Sequence, residues 1–437
     1  MSDEKLGGIM ISDNIIFVKT PRLSVCLSNK NLYKWNSLLL QGIFICSIVS
    51  CCLFISPREA KSETGTFLTG YGVKAAGMGG AEVALPQDAM VAVMNPAGMA
   101  DVGTRYDIGS QFLVVHSKAE MQGSAFGAPD NTPGFPYTFS STTAVVPIPE
   151  IGVNYQVDPD WTIGLSTWGA GFMLPFVTPY LPPAVGGSML NGTKKPSIGL
   201  VYVGVQPSIS YKVRPDVAIG VSPILSLMKL NIGNIPNVPN SSNAWAVGEG
   251  ARAGILWDIT SKTKFGFSYA SEINFNRMHG YKYTLLAAAG GRLNLPEQFD
   301  FGISYQVTPD LVVAIDLDRY NWSSVGFGAV YGYKDENAIK LGAAYNLTED
   351  WVIRGGYQYA KRNTNSAQVS QQFLLPAILQ QAGTIGVTYK LSDVSEISLS
   401  GEYDWAETAH YRGTGPSAGI ILDTKYGFFG LEYGHKF

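Results

Sequence analysis

Residues 301–317 read FGISYQVTPDLVVAIDL. As far as Val307 the side chains alternate. Phe301, Ile303, Tyr305 and Val307 fall on one face, Gly302, Ser304 and Gln306 on the other. Thr308-Pro309-Asp310 then interrupts the run. Proline presets φ at the second position of a turn, and an aspartate beside it bonds the local backbone. Alternation resumes with Leu311, Val313, Ile315 and Leu317 opposite Ala314 and Asp316. The stretch therefore reads as two β-strands joined by a tight polar turn.

Five further stretches share this form. They are IGVNYQVDPDWTIGLS from Ile151, PSISYKVRPDVAIGVS from Pro207 and AGILWDITSKTKFGFSY from Ala253. LGAAYNLTEDWVIRGGY from Leu341 and IGVTYKLSDVSEISLSGEY from Ile385 complete the set. Their turns recur at roughly 40 to 56 residues, too long for one strand per unit and without a propeller-blade signature. The spacing suits two strands and one long loop. Six turns join twelve strands, and residues 105–116 and 425–437 add one at each end. The total is 14, an even number, with both ends of the sheet on the short-turn side, the periplasmic side of an outer-membrane barrel.

Composition decides which face is outside. Charged residues are 15% of 437, well below the ~25% of soluble domains. Glycine, at 49 residues, is about 11% against a usual ~7%. A soluble sandwich would also alternate, with apolar side chains inward. Strands of about ten residues with wide aromatic faces and short turns at one end fit apolar-out, polar-in. The fold expected is an all-β membrane protein, a 14-stranded antiparallel transmembrane β-barrel. Net charge is −3 with no basic block, which excludes nucleic acid as a partner.

All four cysteines, Cys26, Cys46, Cys51 and Cys52, precede residue 60, so the rest of the chain has no disulfide framework or thiolate metal site. Lys30 and Lys34 precede an apolar run over residues 38–55, followed by Arg58-Glu59-Ala60. This reads as an export signal cut after Ala60. A membrane anchor and a lipid-modified Cys51 are the alternatives, and translation could start at Met10. Three segments are expected: 1–60 as N-terminal extension and signal peptide, 61–103 as a hatch, and 104–437 as the barrel. Residues 61–103 are rich in Gly and Ala and do not read as strand. On the periplasmic side of a 14-strand cylinder such a segment can fold into the lumen and plug it.

The run AAGMGGAEVALPQDAMVAVMNPAGMA (75–100) resembles the N-terminal hatch of the FadL-type long-chain fatty acid and aromatic-hydrocarbon (toluene-xylene) channels. Asn95-Pro96-Ala97, preceded by Gly-Gly-Ala and an Asp, matches that hatch motif in place and order. LPEQFDFGISYQVTPDLVVAIDLDRYNWSSV, from Leu295, resembles the family's strand pair with its trailing Trp-Ser. The C-terminal Phe437, with Tyr433, Leu431 and Phe429 on one face, resembles the assembly signal of bacterial outer-membrane barrels; His435 interrupts it.

The resemblance implies passive uptake of fatty acids, alkanes or aromatics through a plugged barrel in the bacterial outer membrane. It implies lateral exit at an inward kink of the third strand. That strand begins at Trp161, and Gly169 and Gly171 are the kink candidates. The hatch motif is Asn95, Pro96, Ala97 and Gly98, read either as a ligand-driven switch or as a fixed turn. Arg354 and Lys390, expected to face the lumen, are candidate contacts for a carboxylate head group, with lumen acids as competing partners. Loops at residues 172–183 and 371–377 are candidate apolar capture surface, and lumen positions such as Ser304 are expected to tolerate a polar replacement. Other expected partners are outer-membrane lipid, lipopolysaccharide and the barrel-assembly machinery, for a monomer.

Competing chemistry is thin. Gly415-Pro416-Ser417-Ala418-Gly419 matches G-x-S-x-G, but that motif needs a strand–turn–helix setting and here precedes the last strand. The histidines His116, His279, His410 and His435 lack metal-ligand spacing, so no cofactor, metal or catalytic residue is expected. A structural or adhesive barrel with a permanently closed plug is the alternative function. A water-filled porin is disfavoured by the small-residue plug.

Overall fold

The computed structural model describes residues 9–12, 15–20, 23–28, 66–122, 135–177, 195–234, 241–361, 380–405, 407–410 and 419–437. The apolar run 38–55 and the expected cut after Ala60 lie outside them, as do residues 371–377, 178–183 and most of the Gly415–Gly419 motif. The chain divides into two units, Met1–Pro57 and Arg58–Phe437. In the first, short strands Ile9–Ser12, Ile15–Thr20 and Leu23–Ser28 pair antiparallel in sequence order.

The second unit is a closed antiparallel barrel. Its wall begins with β1 (Arg105–Met121), β2 (Ala144–Gln156), β3 (Trp161–Pro175), β4 (Ser197–Arg214) and β5 (Val217–Gly233). It continues with β6 (Ser241–Thr260), β7 (Thr263–Ala270), β8 (Gln298–Thr308), β9 (Leu311–Tyr320) and β10 (Glu336–Asn346). The last four are β11 (Trp351–Ala360), β12 (Gln381–Lys390), β13 (Ser395–Asp404) and β14 (Ile421–Lys436). Pairing of β14 with β1, from Arg105 opposite Lys436 to Glu120 opposite Ile421, closes the cylinder. The six short turns fall where the sequence places them.

Alternation translates directly into two environments. On β8, Phe301 and Ile303 are 45% and 51% exposed on the outer face, whereas Asp300 is fully buried in the lumen. Aromatic pairs ring the short-turn end outside: Trp161 on Tyr211 at 4.4 Å and Trp351 on Tyr389 at 4.6 Å. Such a girdle marks a membrane interface. Ile303→Lys is expected to cost about 2–4 kcal/mol if Ile303 sits near the midplane, read from the urea midpoint of folding into vesicles. Ile303→Ala should cost far less, and equal costs would refute the facing.

Residues 66–103 lie inside the cylinder and are almost wholly buried. They form α1 (Val73–Ala76), two 3-10 turns (Ala89–Val93 and Pro96–Gly98) and α2 (Met99–Val102). Lumen-facing glycines let this backbone touch the wall. A Cβ on Gly356 would stand 2.1 Å from Gly79 N, one on Gly266 2.2 Å from Val83 O, and one on Gly220 2.4 Å from Ala97 N. The excess glycine of the composition is thus partly a docking surface. At the opposite end, residues 321–335, including α3 (Gly326–Tyr331), fold inward and bury Trp322, Phe327, Tyr331 and Tyr333.

Candidate functional site

Three parts make the site: the seated hatch, a cavity beside it and a break in the wall. The hatch has little regular structure, so its backbone polar groups need partners, and the lumen side chains supply them. Asp316 Oδ2 accepts from Glu82 N (2.7 Å) and Val83 N (2.9 Å), and Thr384 Oγ1 accepts from Gly79 N (2.7 Å). Gln206 donates to Ala92 O (2.7 Å) and Ser304 to Ala84 O (2.8 Å). Ser304 therefore holds the hatch. The sequence shows the face but not what packs on it.

Asn95 shows why the hatch motif has its residues. Pro96 holds it extended (φ −143°, ψ 99°). Its Oδ1 accepts from Ala97 N (3.1 Å), capping the 3-10 turn that Pro96 begins. Its Nδ2 donates to Val83 O (2.8 Å) within the hatch and to Ile255 O (3.0 Å) on β6. Gly254 leaves the space for this, since a Cβ there would stand 2.1 Å from Asn95 Oδ1.

An ionic cluster anchors α1. Lys74, 2% exposed, contacts Glu396 at 2.6 Å, Glu432 at 3.6 Å, and Asp88 and Asp107 at 3.8 Å. Arg105 bridges Asp107 (2.5 Å) and Glu396 (2.7 Å). Burial works against the Lys74 ammonium, but Glu432 and Asp88 outweigh it and hold its pKa above the ordinary 10.5. Burial pushes the carboxyls of Asp88 and Glu82 upward, against the pull of Lys74 and Lys340 respectively. A lysine with a raised folded pKa contributes its full stabilisation below 10.5 and loses it as pH rises through the folded value. The share of hatch seating that Lys74 itself supplies, read as the difference in bilayer conductance between the parent and Lys74→Met, should therefore hold up to that pH and shrink only above it. A difference that already shrinks between pH 7 and 9 would contradict this anchoring.

The cavity lies between the hatch residues Phe67 and Tyr71 and the wall residues Trp168, Ile224, Arg252 and Ile273. As folded it admits little more than a water molecule, so a larger occupant must displace side chains. Phe67 also packs on Trp322 (5.2 Å) and Tyr320 (5.5 Å), linking the cavity to the aromatic cluster of the inward-folded loop.

The wall break lies between β2 and β3. Their pairing runs from Gln156 opposite Thr162 to Ile151 opposite Thr167 and stops. It resumes only at the Ser141–Phe176 bridge. Between these points residues 144–150 pair with β1 alone, and residues 168–174 with β4 alone. Residues 168–172 are five buried positions in succession, so β3 leaves the alternating pattern there. Its register with β4 is unbroken, so no bulge interrupts that pairing. Gly171 has φ +142°, a conformation side-chain-bearing residues rarely adopt.

On β2, Ile151 N bonds Thr167 Oγ1 and Val157 N bonds Trp161 O, so odd-numbered amides face β3. Pro147 and Pro149 occupy two such positions and have no N–H to leave unpaired. The sequence reading missed both, although proline inside an alternating run signals an unpaired edge.

Gly169 and Gly171 thus sit in the β3 segment without a β2 partner, and Asn95, Pro96, Ala97 and Gly98 in the hatch turn. Arg354 and Lys390 lie away from the cavity. Arg354 donates to Gln87 of the hatch (2.8 Å) and to Thr388 (2.7 Å), and exposed Lys390 donates to Glu349 O on a short turn (2.8 Å). Phe172, expected to begin a capture loop, is a buried residue of β3.

Residues 64–417 match the family of outer membrane protein transport proteins (OMPP1/FadL/TodX). The chain belongs to that family. Its curated relatives include outer membrane protein P1 of Haemophilus influenzae, 24% identical over 39% of this chain and 40% of that protein. The long-chain fatty acid transport protein of Escherichia coli K12 is also 24% identical, over 37% of this chain and 42% of that protein. The chain thus spans no more than about half the length of the curated relatives it matches. The toluene transporter TodX of Pseudomonas putida superposes with a TM-score of 0.64 at 18% identity, covering 85% of this chain and 99% of TodX. A FadL homologue of Pseudomonas aeruginosa gives 0.60 at 18% identity, covering 87% and 100%. At this identity the likeness is one of fold. Family and barrel together place the chain in the outer membrane.

Proposed function

We propose that this FadL-family barrel takes up hydrophobic compounds passively, holding them beside the hatch and releasing them sideways into the bilayer between β2 and β3. One observation carries the reading. The β3 segment that has lost its β2 partner also supplies Trp168 to the cavity, so cavity and wall break share a side chain. The rim of the break facing the membrane is apolar: Val145 and Met173 are both more than half exposed. Each CH₂ kept out of water is worth about 0.8 kcal/mol, so a lateral path spares the solute an aqueous exit. The many bonds into the hatch favour a plug that stays seated during passage. Expulsion into the periplasm would break them together.

The test is thermal protection. Alkane, aromatic hydrocarbon and fatty acid are each titrated against the purified barrel. A concentration-dependent rise in melting temperature with at least one class is expected. No shift with any of them would favour a structural barrel whose plug never admits a ligand.

A further inference from the structure

The cavity wall is apolar apart from a few side chains, and two hydrogen-bond donors on its lining residues have no acceptor among the described residues. The Nη1 of Arg252 donates to Met94 O (2.7 Å), Ser268 Oγ (3.1 Å) and Asp300 Oδ2 (2.7 Å), and Nη2 donates to Gln298 Oε1 (2.7 Å). Its Nε–H is left over, as is the Nε1–H of Trp168. Both side chains are at least nine-tenths buried. Buried donors without acceptors are costly, and a site built around them discriminates strongly for an occupant that satisfies them.

Charge restricts that occupant further. Arg252 is already matched by Asp300 at 2.7 Å. Asp318 stands opposite Asp300 in the β8–β9 register, with Asp316 two residues before it, and Lys340 pairs with Asp318 at 2.8 Å. In formal charges these are three carboxylates against two cations. A ligand carboxylate would add negative charge to a wall that already has a surplus, in a place where unpaired charge is heavily penalised.

From this geometry we infer that the cavity selects a neutral apolar molecule bearing one hydrogen-bond acceptor, such as a ketone or ester. It disfavours both the bare hydrocarbon and the carboxylate of the same skeleton. The acceptor oxygen takes the free donor of Arg252 or Trp168, and the body lies against Phe67, Tyr71, Ile224 and Ile273. This inference rests on the channel reading above and names its substrate class.

Acetophenone, ethylbenzene and benzoate share a ring and differ in the group that matters. Isothermal titration calorimetry of each into the purified barrel at neutral pH should show acetophenone binding about fivefold more tightly than ethylbenzene, one hydrogen bond's worth. Benzoate should bind more weakly than acetophenone by about tenfold or more. Trp168→Phe keeps an aromatic ring and removes one donor, and should narrow the acetophenone–ethylbenzene ratio. Equal binding of ethylbenzene and acetophenone to the unaltered protein would mean that water alone satisfies the donors, and would overturn the inference. So would benzoate binding as tightly as acetophenone. Both results leave the channel reading standing; no binding by any of the three also overturns the inference, and the channel reading falls only if alkane and fatty acid give no thermal shift either.

Discussion

Replacing Gly169 and Gly171 together by valine should reduce uptake of a hydrophobic solute by an order of magnitude or more while the barrel still assembles. Gly171 holds φ +142°, and a Cβ there would stand 2.2 Å from Leu200 O on β4. A β-branched residue forced into such a conformation costs about 1–3 kcal/mol, so β3 relieves the strain by shifting its course. Trp168 then leaves the cavity and the wall break narrows. Uptake of a radiolabelled hydrophobic compound by cells, beside heat-modifiability on gels, checks the claim. Undiminished uptake by a correctly assembled variant would place the exit elsewhere. Pro147→Val with Pro149→Val offers a reciprocal handle, because it restores the two amides that full pairing with β3 requires.

The second large effect is expected at Lys74. Its ammonium answers Glu396, Glu432, Asp88 and Asp107 from a buried position on the hatch. Lys74→Met keeps the length and removes the charge. Stripping one partner from a buried ionic cluster costs about 3–5 kcal/mol, and here the loss falls on the contact between hatch and wall. The barrel's own strand pairing is untouched, so folding should survive while the hatch loosens. Planar-bilayer recordings should show a conductance for small ions that the unaltered protein lacks. A variant as tight as the parent would show that α1 is held chiefly by its packing and backbone bonds.

Much of the barrel was legible because a membrane wall enforces strict alternation. Ile303 outside and Asp300 inside follow from a period of two, and each Pro-Asp or Thr-Glu-Asp turn marks where the chain reverses. The hatch was legible as something other than strand, and Asn95-Pro96 as a turn. What period alone could not reveal was what each lumen residue touches. Ser304 and Arg354 read as lumen-facing polar groups, yet both bond the hatch. Arg252 was overlooked because its place beside the cavity comes from β6 and β8 meeting Phe67 and Met94, residues far apart in sequence. Pro147 and Pro149 carried a local signal that went unused.

The measurement that bears most directly on the central claim is a two-solute assay in proteoliposomes carrying the assembled barrel. A labelled hydrophobic compound and labelled raffinose are added outside together. A plugged barrel with a lateral exit should deliver the hydrophobic compound to the vesicles faster than protein-free controls while raffinose stays outside. Raffinose entering alongside it would reveal a water-filled pore. A hydrophobic signal no faster than the control would show a plug that never conducts, and either result would contradict the account.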